Sequence, residues 1–339
     1  MREIFPRPGR GEVRIPALVH LAGATYLFFD ARPQPIAGGD GATFTGTALA
    51  SDLPNPNRIH FSRRLANGTW TEPQPIGGPP ISSDAATAAT PDGLFVAYAS
   101  TERVGYFESS FAGERLMPWI ATGPTPDQLH HRPVPELYDL TRADGIFATS
   151  GSTISLGSRV LVPYVTRRAD RTAIYVVHFE GDEIAAISEP IVGPAGAALD
   201  ETTLALTPAG VVTNSRAQGF AGKGSGVRYL AHSSDGVRFS EPEPWCLPDP
   251  GCNAKQLGAL FVHPHATEAR REGAVVAVPE NLSDGARVLS RFGDGGFGYS
   301  DAVLVADGEA GDNRLLVVFE RDGALWEAEL LLADLGRTS

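Results

Sequence analysis

The stretch Ser233-Ser-Asp235-Gly236-Val-Arg-Phe239-Ser-Glu-Pro242 decides the fold, because a carboxylate two residues past a serine and beside a glycine can tie down the N–H groups of a tight hairpin turn. The aromatic three residues past the glycine then plugs the sheet edge. A decayed copy lies upstream in Arg63-Arg-Leu-Ala-Asn67-Gly68-Thr-Trp70-Thr-Glu-Pro73, where Asn67 stands near the aspartate position and the leading serine is lost. Singly, each reads as an ordinary Asp-Gly or Asn-Gly hairpin. Both end on aromatic-Ser/Thr-Glu-Pro, so they share a turn type, and repetition of one turn favours blades.

Working outward, short apolar and β-branched runs recur between turn residues. They include Ala24-Thr-Tyr-Leu-Phe-Phe29, Leu94-Phe-Val-Ala-Tyr98, Ala173-Ile-Tyr-Val-Val-His-Phe179, Ala274-Val-Val-Ala-Val278 and Arg314-Leu-Leu-Val-Val-Phe-Glu320. The 38 glycines and 27 prolines are spread along the chain rather than concentrated. No segment holds a 3.6-residue period over three turns, although Thr125-Pro-Asp-Gln-Leu-His-His131 could start a turn. The expectation is an all-β chain of many short strands. Sandwich, barrel and propeller all accommodate such strands, and the repeated turn arbitrates for a propeller. Propellers of 339 residues form one domain as readily as two, and one domain over 1–339 is expected.

The formal charge of −12 argues against a general nucleic-acid surface and against anionic membranes. An anionic substrate would need a local arginine cluster working against that field. Cys246 and Cys252 make neither a disulfide framework nor a zinc set, and read as reduced or as one optional bridge. The first residues hold no apolar leader core, and no apolar run reaches the roughly 18 residues of a membrane span. A soluble chain is expected, cytoplasmic unless a leader was removed.

Four stretches concentrate the chemistry. Gly11-Glu-Val-Arg14-Ile-Pro-Ala-Leu-Val19 puts a guanidinium at the start of a buried strand, which is costly unless a carboxylate meets it. Ser51-Asp52-Leu-Pro54-Asn-Pro56-Asn57 holds an aspartate on a loop stiffened by prolines. Leu199-Asp200-Glu201 leads through Pro208-Ala-Gly210 to Asn214-Ser215-Arg216, and an antiparallel hairpin over that span returns Arg216 to the end where Glu201 sits. Such a pair serves either one ligand or a structural ion bridge. Phe297-Gly-Tyr299-Ser-Asp301 places a tyrosine ahead of the strand Ala302-Val-Leu-Val305.

In order and spacing these stretches resemble the bacterial exo-α-sialidases, nearest to the actinobacterial secreted type, over roughly residues 11–336. Arg14-Ile-Pro-Ala-Leu followed by Asp30-Ala-Arg32-Pro33 is similar to the family opening, and the two repeated turns to its Asp-boxes. The resemblance implies a six-bladed β-propeller and an enzyme that removes terminal sialic acids from sialylated glycans with retention, using neither metal nor organic cofactor. It implies Tyr299 as nucleophile, Glu201 as its base and Asp52 as acid/base. Arg14, Arg216 and a third arginine would clamp the substrate carboxylate, with Arg32 and Asp84 at another hydroxyl of the sugar. The third arginine is read as Arg287, which opens a strand, with Arg291 as its competitor. Departures are a Gly-rich insertion over residues 37–42, Ser152 or Thr153 where the family has a second glycine, and compression between Asn281 and Tyr299. Two alternatives stay open: a hydrolase for another nonulosonic acid, for which the neighbourhood of residues 112–119 is suggestive, and a glycan-binding propeller without catalysis. Tyr299, Glu201 and Asp52 together favour an enzyme, since a binding module needs no such set.

Overall fold

The computed structural model describes residues 1–9, 11–33, 52–101, 103–106, 108–109, 113–151, 153–169, 171–194, 197–218, 224–265, 272–293, 296–307 and 312–336. The Gly-rich insertion, Ser152 and Ala112 lie outside them.

The apolar runs form strands because alternate side chains face alternate sheet faces, and here both faces meet another sheet, so the runs are nearly continuous in apolar residues. The strand Gly93–Ser100, for example, is buried along its whole length. The strands assemble into six antiparallel sheets of four strands, one carrying a fifth, arranged as a six-bladed β-propeller. Blade one starts with Glu12–Leu21, blade two with Ser82–Thr90, blade four with Ala198–Thr207, blade five with Lys255–Leu257 and blade six with Ser300–Asp307. In blade three the first strand is split into Gly145–Ala148 and Ile154–Leu156, both paired with Arg159–Arg168.

The core is distributed around the ring. Six apolar clusters occupy the six spaces between neighbouring blades, as where Ala17, Phe28 and Phe61 of blade one meet Leu94, Val96 and Tyr98 of blade two. Blade six is completed by the amino-terminal strand Arg2–Phe5, which pairs with Ala324–Leu331 and closes the circle. Arg2 at 2.6 Å and the Trp70 indole N–H at 2.8 Å both donate to the nearly buried Glu327, so the turn after Arg63 helps lock this closure.

Both repeated turns use the same hydrogen bond. Asp235 Oδ1 accepts from the N–H groups of Val237 and Arg238, each at 2.9 Å, and Gly236 takes a positive φ of 74° that a side chain would strain. Asn67 Oδ1 accepts from Thr69 N–H at 3.0 Å in the decayed copy. Helix is confined to Glu136–Thr141 and three short 3-10 turns among the described residues, one of them Pro126–Gln128 where a turn was expected. No helix among the described residues is long and apolar enough to cross a membrane. No disulfide joins the two cysteines, of which Cys252 is buried and Cys246 exposed.

Candidate active site

Three innermost strands break register near their beginnings. The irregularity falls between Arg14 and Ala17 in blade one, between Ser83 and Ala86 in blade two, and between Leu199 and Thr202 in blade four. Ile15 (φ 57°) and Asp84 (φ 64°) hold positive φ inside two of them. A bulge re-aims a side chain that regular pleating would bury between blades. Arg14, Asp84 and Glu201 thus emerge at one end of the ring, where Tyr299 immediately precedes the first strand of blade six.

The hairpin in blade four folds as its sequence suggests, with Thr202 opposite Ser215 and Thr207 opposite Gly210. Arg216 therefore returns to Glu201, its Nη1 standing 2.6 Å from Glu201 Oε2 and its Nη2 2.8 Å from Asp200 Oδ2. Arg216 also donates to the Tyr299 hydroxyl at 3.0 Å, and that hydroxyl donates a short hydrogen bond to Glu201 Oε1. Burial pushes the Glu201 carboxyl up to about 7, with Arg216 opposing the rise and Asp200 adding to it. Burial likewise holds the Tyr299 phenol well above its ordinary value, against the pull of Arg216 and with the push of Glu201. A phenol bonded to a carboxyl that titrates near neutrality has a proton acceptor in place.

Arg14 meets the carboxylate its position calls for. Glu320 grips it with two bonds of 3.2 Å, Nε to Oε1 and Nη2 to Oε2, and also accepts from Ile15 N–H at 2.8 Å. Its guanidinium carbon lies 5.3 Å from the centre of the Tyr299 ring. Burial would weaken the Arg14 charge, but Glu320, Tyr299 and Asp52 outweigh it and leave the group more firmly protonated than a free guanidinium.

On the blade-one side, Arg32 Nη1 donates to Asp52 Oδ1 at 2.6 Å and Arg32 Nη2 to the fully buried Asp30 at 2.9 Å. Asp52 Oδ1 also stands 3.9 Å from Arg14. Asp84 packs against this group, its N–H donating to Asp30 Oδ1 at 3.3 Å. Burial, and then the neighbouring Asp30, hold the Asp84 carboxyl well above the usual range. Asp52, Glu201, Tyr299, Arg14, Arg32, Asp84 and Arg216 are accordingly brought together at one end of the ring.

Arg287 is not. It opens Arg287–Phe292, the fourth and outermost strand of blade five, where it is exposed and lies near Gly336. Arg291 stands on the same strand, paired with Glu272 and hydrogen-bonded to His265. Neither supplies a third guanidinium to Tyr299. What blade five contributes on its innermost strand is Lys255, whose ammonium lies 3.3 Å from Asp301 Oδ1. Asp301 also accepts from Leu18 N–H at 2.6 Å, so blades one, five and six are joined across the channel.

Sequence reading missed Glu320, Asp200 and Asp30 as members of the cluster. Asp30 carried a usable signal, because a carboxylate closing the apolar run Tyr26–Phe29 two residues before Arg32 shares its strand face. Asp200 adjoins Glu201, but nothing local marks Glu320 as the partner of Arg14. Among the described residues no group of three His, Cys, Asp or Glu side chains could hold a metal ion.

This fold is that of the sialidases and neuraminidases. The chain is similar to the Trypanosoma rangeli sialidase with a TM-score of 0.67 at 14% identity, covering 98% of this chain and 59% of that one. It matches the same trypanosomal sialidase as its covalent intermediate with 2,3-difluorosialic acid, with a TM-score of 0.65 at 14% identity over 98% of this chain and 59% of that one. It is also similar to the N10 neuraminidase-like protein of a little yellow-shouldered bat influenza virus, with a TM-score of 0.58 at 8% identity over 97% of this chain and 98% of that one. The chain thus spans about three fifths of the trypanosomal sialidase, as the 59% coverage gives. These likenesses reach trypanosomal and viral proteins and do not single out the actinobacterial secreted type. No protein-family profile matches the chain, and no curated protein sequence does.

Proposed function

We propose that the protein is an exo-α-sialidase that removes terminal sialic acids from glycoconjugates with retention, through a tyrosine nucleophile. The observation that carries this reading is the Tyr299 hydroxyl donating to Glu201 while Arg216 donates to the same oxygen.

The chemistry favours a phenol here. A sialoside bears a carboxylate on its anomeric carbon, so a carboxylate nucleophile would be repelled, whereas a phenol attacks with its charge formed only as the proton leaves. Glu201 takes that proton and returns it when the intermediate breaks down. Arg14 and Arg216 provide the fork-shaped donors that suit a carboxylate. Asp52 protonates the leaving oxygen and then activates water from the opposite side. Asp84 and Arg32 bind a hydroxyl of the ring. The covalent intermediate named for the trypanosomal sialidase supports a double displacement on this fold.

The test is a pair of fluorogenic glycosides, one of N-acetylneuraminic acid and one of its deaminated analogue, assayed side by side. Turnover of the first supports the reading. Turnover of the second alone moves the activity to another nonulosonic acid. Equal inactivity on both overturns it in favour of a glycan-binding propeller.

A further inference from the structure

A hollow opens on blade one at the same end of the ring, bordered by the loop that carries Asp52. It is open to solvent, measures about 620 Å³ and is lined by Pro8, Arg32, Pro33, Pro56, Arg58 and His60 among others, a size within the range that small ligands occupy. Pro56 stands on the tight loop that carries Asp52, whose carbonyl accepts from Asn55 N–H at 2.9 Å. Arg32 borders the cleft, and its guanidinium turns to the other face of the strand, where it meets Asp52 and Asp30. Strand alternation places Arg58 and His60 on one face of Arg58–Arg63, with Ala31 directly opposite Arg58.

The chemistry of this lining is unusual for the chain. Acidic residues outnumber basic ones 40 to 28, yet none lines the cleft among the described residues. Arg14, Arg32 and Arg216 are each held by carboxylates, whereas Arg58 is exposed and has no hydrogen-bond or ion-pair partner among the described residues. The prolines offer stiff apolar walls against which a sugar ring can rest.

The direction of the reaction points there too. In a displacement by Tyr299 the leaving oxygen departs on the side away from the attacking phenol, which is the side of its proton donor Asp52. The leaving group then lies over blade one. We propose that this cleft receives the leaving-group sugar and selects one that carries a carboxylate, a second nonulosonic acid, through Arg58 and His60. The inference rests on the sialidase reading and adds a substrate preference to it.

The experiment compares kcat/KM for a disialoside, whose leaving group is itself a sialic acid, with that for a sialyl-lactoside, whose leaving group is uncharged. Arg58→Gln is expected to lower the ratio of the two about fivefold, the upper scale of an exposed charge contact, and Arg58→Lys to restore most of it. An unchanged ratio in Arg58→Gln overturns the subsite and leaves the hydrolase reading standing. Absence of turnover of both substrates by the wild-type protein removes the hydrolase reading, and the subsite with it.

Discussion

On the side of blades four and six, Tyr299, Glu201, Arg216 and Asp200 hold one another in a space nearly closed to solvent, whereas on the side of blade one Asp52 leaves 49% of its side chain exposed while leaning on Arg32. The first wall is built from strand residues and from Tyr299 directly ahead of a strand, and the register break between Leu199 and Thr202 aims Asp200 and Glu201. The second hangs its key carboxylate on a loop. The difference matches the two tasks of the proposed function: attack on an anomeric carbon needs a fixed distance, and protonation of a departing oxygen needs a group that leaving group and water can both reach.

Breaking the buried wall should cost most. Glu201→Gln leaves the Arg216–Asp200 pair in place but removes the proton acceptor, and kcat on a sialoside is expected to fall by about 10³-fold in steady-state assays. A loss below tenfold would mean that Glu201 is a structural partner of Arg216 only.

The clamp comes next. Arg14→Ala and Arg216→Ala should each weaken binding of a planar unsaturated sialic acid analogue by about 2–4 kcal/mol in calorimetric titration, the scale for truncating one partner of a buried charged contact. Arg287→Ala on the outer strand should change it by less than about 0.5 kcal/mol. An effect at Arg287 equal to that at Arg216 would contradict the placement of blade five.

Asp52→Ala sharpens the contrast between the walls. Turnover of a natural sialoside should drop by about 10²-fold or more, while an aryl sialoside with an acidic phenol as leaving group should lose far less. Equal losses on the two substrates would count against a proton donor on the open wall.

The smallest effect is in the pH dependence. Only ionised Glu201 accepts the phenol proton, so kcat/KM of the free protein should climb as pH rises through about 7. The same upward shift has a stability consequence of definite sign. Folded Glu201 holds its proton more tightly than the unfolded chain does, so its contribution is full below the unfolded value and is lost as pH rises through about 7. The thermal midpoint should therefore fall more between pH 5 and 8 in the wild type than in Glu201→Gln, as roughly one titrating group predicts. Parallel curves would remove Glu201 as the group responsible.

The legible parts of the molecule were those whose contacts are local. Glu201 and Arg216 belong to one hairpin, so strand alternation and the Pro208-Ala-Gly210 turn suffice to bring them together. Arg14 announced a need for a carboxylate but not its identity, because Glu320 lies 306 residues away and meets it only when the ring closes. Arg287 failed for a related reason. A strand-opening position does not reveal whether the strand is innermost or outermost, and the innermost strand of blade five, Lys255–Leu257, is too short to leave a pattern from which to count outward. The bulges were equally silent, since the β-branched Ile15 does not favour positive φ, and an aspartate such as Asp84 adopts it in too many settings to mark a bulge.

Covalent labelling tests the central claim most directly. A fluorinated sialosyl fluoride slows both displacements through its electron-withdrawing fluorine, while its good leaving group keeps the first one fast enough for the intermediate to accumulate. Peptide mapping by mass spectrometry should then find the adduct on Tyr299 in the wild type, formed much more slowly in Glu201→Gln and absent in Tyr299→Phe. An adduct on Asp52 or Glu201 with Tyr299 unmodified would contradict the account.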